Sequence, residues 1–157
     1  GKTDQPIYDF ELSVARVKAA ALAVRSLPFP FMLTARAENL LNDRMDFSDT
    51  LRRLEAYADA GADVLYAPGL RTREEVIAVV RAVAPKPVHV LMGLGGVTLT
   101  VADLSECGVK RISVGSSLAR AAFGGLYRAA EEIRTGGTFS YAEQALPFAQ
   151  LNALFKV

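Results

Sequence analysis

Phe31-Met32-Leu33-Thr34-Ala35-Arg36-Ala37-Glu38-Asn39 is the stretch that decides the fold of this chain. An apolar run leaves Pro28-Phe29-Pro30 and ends in an arginine, a glutamate and an asparagine. A buried strand whose last residues turn polar delivers them to the mouth of a parallel α/β sheet or barrel, where ligands bind. The same residues are compatible with a plain structural ion pair between Arg36 and Glu38 at a strand end.

Working outward from this strand, placed at about 31–36, three more short apolar runs follow. They are Val64–Ala67, closed by Pro68-Gly69; Val88–Met92, closed by Gly93-Leu94-Gly95-Gly96; and Arg111–Val114, closed by Gly115-Ser116-Ser117. Helical patterns separate them. Pro6 to about Arg25 carries a broad apolar face with Leu12, Val17 and Leu22. Residues 39–46 read as a loop, after which Asp46 caps a helix that Gly61 stops. Thr72 with Glu75 forms a capping box ahead of Val76, Val79 and Val80. Thr100 caps a short helix over 101–106, a long helix spans about 118–134, and a last one lies near 147–154.

Helix and strand thus alternate at roughly 25 residues per unit, and apolar, partly β-branched strands of this kind belong to parallel sheets covered by helices. Crossovers of this length are right-handed. A (β/α)8 TIM barrel needs eight strands and about 250 residues, whereas four strands are found here. The expected fold class is α/β: half of a (β/α)8 barrel, or an open four-stranded sheet, formed as a single domain over 1–157.

The 157 residues carry a net charge of +1 and 51% hydrophobic residues, as one ordinary globular domain does. That balance gives no reason to expect a nucleic-acid partner, because phosphate binding needs a concentrated basic surface. No apolar run reaches the roughly 18 residues that span a bilayer, so no membrane partner is expected. Gly1–Gln5 do not resemble a signal peptide. The single Cys107 cannot form an internal disulfide, which points to the cytoplasm, and with one histidine there is no zinc-type cluster.

Four strand exits carry the candidate chemistry. At the first, Arg36 suits an anionic substrate because a guanidinium holds a carboxylate in two parallel bonds. Glu38 can orient Arg36 or a water, and Asn39 can donate and accept. Ala67-Pro68-Gly69 offers backbone only, as a plain turn does. His89 lies inside the third strand and alternates with Val88 and Val90, so it faces the barrel interior if those two face the helices. A lone histidine is more often a hydrogen-bonded core residue than a catalyst. The glycines after it, and Gly115-Ser116-Ser117 at the start of the long helix, can cradle an anion with backbone N–H groups. Ser116 or Ser117 also serves as a simple helix cap. Cys107, beside Gly108, fits a buried structural thiol.

Several blocks in order carry more than any one of them. These are Thr34-Ala35-Arg36-Ala37-Glu38-Asn39, Tyr57-Ala58-Asp59-Ala60-Gly61-Ala62-Asp63-Val64-Leu65-Tyr66-Ala67-Pro68-Gly69-Leu70, Lys86-Pro87-Val88-His89-Val90-Leu91, Gly108-Val109-Lys110-Arg111-Ile112-Ser113-Val114-Gly115 and Gly137-Thr138-Phe139. The series resembles the carboxy-terminal half of the isocitrate lyase / phosphoenolpyruvate mutase family, most of all its short phosphonomutase-like members. The resemblance implies a (β/α)8 barrel in which Mg²⁺ binds an α-keto or enol carboxylate. It also implies a lyase or mutase that makes or breaks a C–C or P–C bond through a metal-stabilised enolate. By position, Arg36 matches a substrate-contacting, catalytic arginine and Glu38 a polar neighbour. His89 falls where many relatives carry a substrate-contacting asparagine, and Gly69 where the lyases proper carry a glutamate. The family's metal-binding aspartates lie in the barrel half that has no counterpart here, so Mg²⁺ ligands are not expected in this chain. The resemblance further implies a homo-oligomer, with residues 118–157 swapped between subunits.

The expected substrate-binding set is therefore Arg36, Glu38, Asn39, His89, Gly115 and Ser116. Two alternatives stand beside the enzyme: an inactive half barrel that assembles with itself or a partner half, and an unrelated phosphate-binding barrel half.

Overall fold

The computed structural model describes residues 7–93, 95 and 97–156. Gly1–Gln5, the expected helix start at Pro6, and Leu94 and Gly96 of the glycine turn lie outside the described residues. The chain clusters into two compact units, Gly1–Gly115 and Ser116–Val157.

The first unit holds a four-stranded sheet of β1 (Thr34–Arg36), β2 (Val64–Tyr66), β3 (Val88–Leu91) and β4 (Arg111–Ser113). The strands lie in the order β1-β2-β3-β4 and every pair is parallel. An open doubly wound sheet reverses its strand order at a switch point. This sheet does not reverse. Right-handed crossovers between consecutive neighbours place the connecting helices on one face only, which is the winding of a barrel wall.

That helix-covered face carries the core. Ala35, Leu65, Val88 and Val90 pack with Leu54, Tyr57, Val76, Val79 and Leu104 from the helices α2 (Phe47–Asp59), α3 (Arg73–Ala82) and α4 (Val101–Glu106). Each helix starts where its cap chemistry predicts. Asp46 accepts from the Asp49 amide, and Thr72/Glu75 and Thr100/Asp103 both close capping boxes. Gly61 has φ +104°, and a Cβ there would lie 2.8 Å from an Arg25 guanidinium nitrogen, so glycine makes this turn into β2.

The structure corrects several boundaries. Helix α1 spans Phe10–Arg25, and Ile7–Asp9 are not helical. The Tyr8 carbonyl there accepts from Arg53 at 2.9 Å instead of entering the helix. Strand β1 starts at Thr34, three residues later than expected, where the paired register with β2 begins at Val64; the Leu33 carbonyl just before it accepts from the Asp63 and Val64 amides at 2.9 and 3.1 Å. Leu33 is also pinned by the Asp63 carboxylate, which accepts from its amide at 2.8 Å. Residues 39–46, read as a loop, contain a 3₁₀ turn at Asn39–Asn42. It is held by the Asn42 side-chain amide donating to the Glu38 carbonyl.

A buried polar chain ties this turn to the helices. Asn39 donates to Asp49 at 2.8 Å, Arg53 donates to the same Asp49 oxygen at 2.6 Å, and Arg53 reaches the Ser13 hydroxyl at 3.2 Å. Burial works against the Asp49 charge, but the bonds from Arg53 and Asn39 override it and hold its carboxyl below the usual range.

The second unit consists of α5 (Ser117–Gly136), a 3₁₀ turn at Ser140–Gln144 that the sequence pattern did not suggest, and α6 (Phe148–Ala153). Glu132 organises it by accepting from the amides of Ser140 and Tyr141 and the hydroxyls of Thr138 and Ser140.

Leu65→Ala removes a fully buried side chain between helices and sheet, and is expected to cost about 3 kcal/mol. Loss of the Thr72 cap in Thr72→Ala is expected to cost about 1 kcal/mol. Urea unfolding of both variants checks the ranking.

Candidate active site on the inner sheet face

Side chains alternate across a strand, and residues opposite one another in a parallel ladder share a face. The register pairs Arg36 with Tyr66, Tyr66 with His89, and His89 with Arg111. These four residues form one row across the sheet, on the face opposite Ala35, Leu65, Val88 and Val90. Leu91 pairs with Ser113 one step further toward the strand ends.

The row is tightly connected. The Tyr66 and His89 rings stack with centroids 4.1 Å apart and planes 23° apart. His89 Nε2 lies 2.7 Å from the Ser113 hydroxyl oxygen. The Arg36 guanidinium carbon sits 5.4 Å from the Tyr66 ring centroid. Glu38 pairs with Arg36, accepting from Nη2 at 3.0 Å and from Nε. Tyr66 and His89 are buried, whereas the side chains of Arg36 and Glu38 remain 44% and 39% exposed.

Burial raises the Tyr66 phenol, with Arg36 opposing and Glu38 reinforcing the shift. Burial also lowers His89, and the cations Arg111 and Arg36 push it further down. Both effects favour the neutral imidazole, and its buried Nδ1 has no hydrogen-bond partner among the described residues.

Of the expected site residues, Arg36, Glu38 and His89 come together at this row. Asn39 is buried at 1% exposure with its amide donated to Asp49, so it anchors the exit turn from beneath. Gly115, with φ +53°, closes the first unit, and Ser116 opens the second as the N-terminal cap position of α5 without a side-chain capping bond. Tyr66 and Arg111 in the row, and Ser113 beside it, are site neighbours that the strand pattern alone does not mark. Strand alternation starting from His89 leads to Arg111 and Ser113 once the register is known. Cys107 is a free, buried thiol.

Mg²⁺ takes oxygen ligands, chiefly carboxylates and waters. The row offers two arginines, a tyrosine and a histidine, with the Ser113 hydroxyl beside it, and the neighbouring Glu38 carboxylate is committed to Arg36. No group of three or more His, Cys, Asp or Glu residues suited to a metal occurs among the described residues. The residues present do not fit this cation.

Comparison with known proteins joins this geometry to a lineage. The family model of phosphoenolpyruvate phosphomutase matches residues 1–134. The chain belongs to the phosphoenolpyruvate mutase family. A Mycobacterium tuberculosis protein named only as uncharacterized is 33% identical over 150 residues, which cover 95% of this chain and 54% of that protein. The crystal structure of a candidate lyase/mutase from Burkholderia cenocepacia J2315 is 53% identical, with TM-score 0.93, over 100% of this chain and 56% of that one. In 2,3-dimethylmalate lyase, a member of the phosphoenolpyruvate mutase/isocitrate lyase superfamily, the same fold recurs at 24% identity and TM-score 0.76. That match covers 95% of this chain and 52% of the lyase. The chain spans about half the length of these relatives, and its four strands are successive strands of the superfamily's barrel fold. At Gly69, φ is +103° and a Cβ would lie 2.8 Å from the Leu40 Cβ, so this turn has no room for a glutamate in its present form.

Because His89 has its folded pKa below its ordinary value of 6.5, its contribution to stability is complete above about pH 6.5 and is lost as pH falls through the lowered value. In melting curves taken from pH 7 to pH 5, the wild type should lose more stability than His89→Asn, which cannot take up that proton.

Proposed function

We propose that this chain supplies the carboxylate-binding half of a lyase or mutase. The enzyme would form or cleave a C–C or P–C bond of a small α-keto or enol carboxylate. Family membership supports the reaction class. The observation that carries the assignment is Arg36: an exposed guanidinium at the last residue of β1, backed by the Tyr66 ring, at the sheet end where barrel enzymes bind substrate.

In this role Arg36 binds the substrate carboxylate and favours the negative charge that develops beside it. His89, neutral and stacked on Tyr66, keeps the floor of the site rigid without adding a third positive charge. Asn39 fixes the turn that follows Arg36, and the Gly115 backbone N–H at the exit of β4 is the proposed donor to a second anionic group. Mg²⁺, which the family implies, would have to draw its ligands from residues other than those described, and the chain's own share is binding and orientation. Assembly into a homo-oligomer belongs to the same proposal.

A second reading is a catalytically silent half barrel, favoured by the lack of a carboxylate cluster among the described residues. Turnover separates the two. Arg36→Ala in the full-length protein is expected to lower kcat/KM by roughly 10²–10³, the scale of a charge-stabilising contact, with the far-ultraviolet spectrum unchanged. Equal kcat/KM in variant and wild type would remove Arg36 from the site.

A further inference from the structure

A guanidinium carries five N–H donors in two usable forks: a side-on fork of Nε and Nη2, and an end-on fork of Nη1 and the second N–H of Nη2. In Arg36 the side-on fork is taken. Nη2 donates to Glu38 Oε2 at 3.0 Å, and Nε lies against Oε1 in the same ion pair. The Tyr66 ring lies under the same group at 5.4 Å, and the register that pairs Arg36 with Tyr66 fixes that support to the neighbouring strand.

We infer that Glu38 is a positioning residue that locks Arg36 side-on, so that the substrate carboxylate is bound only through the end-on fork. This deepens the proposed function and rests on its placement of Arg36 in the site. Three observations support it. The pair is some 40% exposed at both ends, at 44% and 39%, where an ion pair contributes little to folding. Contact with both carboxylate oxygens along the Nε/Nη2 edge nevertheless restrains the guanidinium. Glu38 stands two residues beyond Arg36, at the N-terminal cap position of the 3₁₀ turn that leaves β1, and its carboxylate comes back against the guanidinium. A free arginine side chain loses considerable rotamer entropy when it captures a ligand, and a clamped one has already lost it. The clamp also offsets one positive charge of the row, which matches the site to a planar monocarboxylate end of the ligand.

The alternative arrangement is displacement, in which a ligand carboxylate expels Glu38 and takes the side-on fork. Oxalate, a small planar dicarboxylate, distinguishes the two when titrated into full-length protein carrying ¹⁵N-labelled arginine. With the clamp in place, the Arg36 Nε–H signal keeps its position at saturating oxalate while the Nη signals move. Glu38→Gln then weakens oxalate binding by about fivefold, the scale of immobilising one long side chain, and Glu38→Asp restores part of the loss. A shift of the Nε–H signal on oxalate addition, or binding that is equal or tighter in Glu38→Gln, overturns the clamp. Arg36→Ala isolates the underlying assignment. If it binds oxalate as the wild type does, or if the wild type binds none, the carboxylate-binding role of Arg36 fails. Lost binding in Arg36→Ala with unchanged binding in Glu38→Gln removes the clamp alone.

Discussion

The parallel register of four short strands is the constraint on which the rest of the structure depends. Each strand offers only three or four residues, so the ladder has no slack. A slip of one residue would turn Ala35, Leu65, Val88 and Val90 away from the helices and send Arg36, Tyr66 and His89 into the core. The helix-covered face is fully apolar among these positions, and burying a charged guanidinium there is prohibitive. Hydrophobic burial on one face thereby fixes the chemistry of the other.

The inner face is a graded surface. Its centre, Tyr66 and His89, is buried, stacked and neutral, whereas its ends, Arg36 and Arg111, are cationic and open. The two charges account in part for the low basicity of His89, since each disfavours a third cation between them. The network beneath the exit turn works in the same sense. Asn39, Asp49, Arg53 and Ser13 link the residue three positions after Arg36 to helices α1 and α2. Removing one partner from that chain would strand a buried charge, so the backbone that presents Arg36 is held from below by polar bonds and from the side by the sheet.

The chain's span, about half of its relatives, gives the inner face its physical meaning. In a closed barrel the row lines the interior, and residues from the other strands surround it. Here the row displays two arginines, a tyrosine and a histidine, without a cluster of metal-ligating carboxylates among the described residues.

Local rules in the sequence determined the alternation of elements, the caps at Asp46, Thr72 and Thr100, and the polar exit at Arg36, because caps and periodicity act within a few residues. The family was legible from the order of its blocks. Only the tertiary structure decided that β1 starts at Thr34, that Asn39 turns inward onto Asp49, and that Tyr66 and Ser113 join His89 in one cluster. Those outcomes depend on which residue of a neighbouring strand lies opposite, and register is set by burial of the whole face and not by any short stretch of chain.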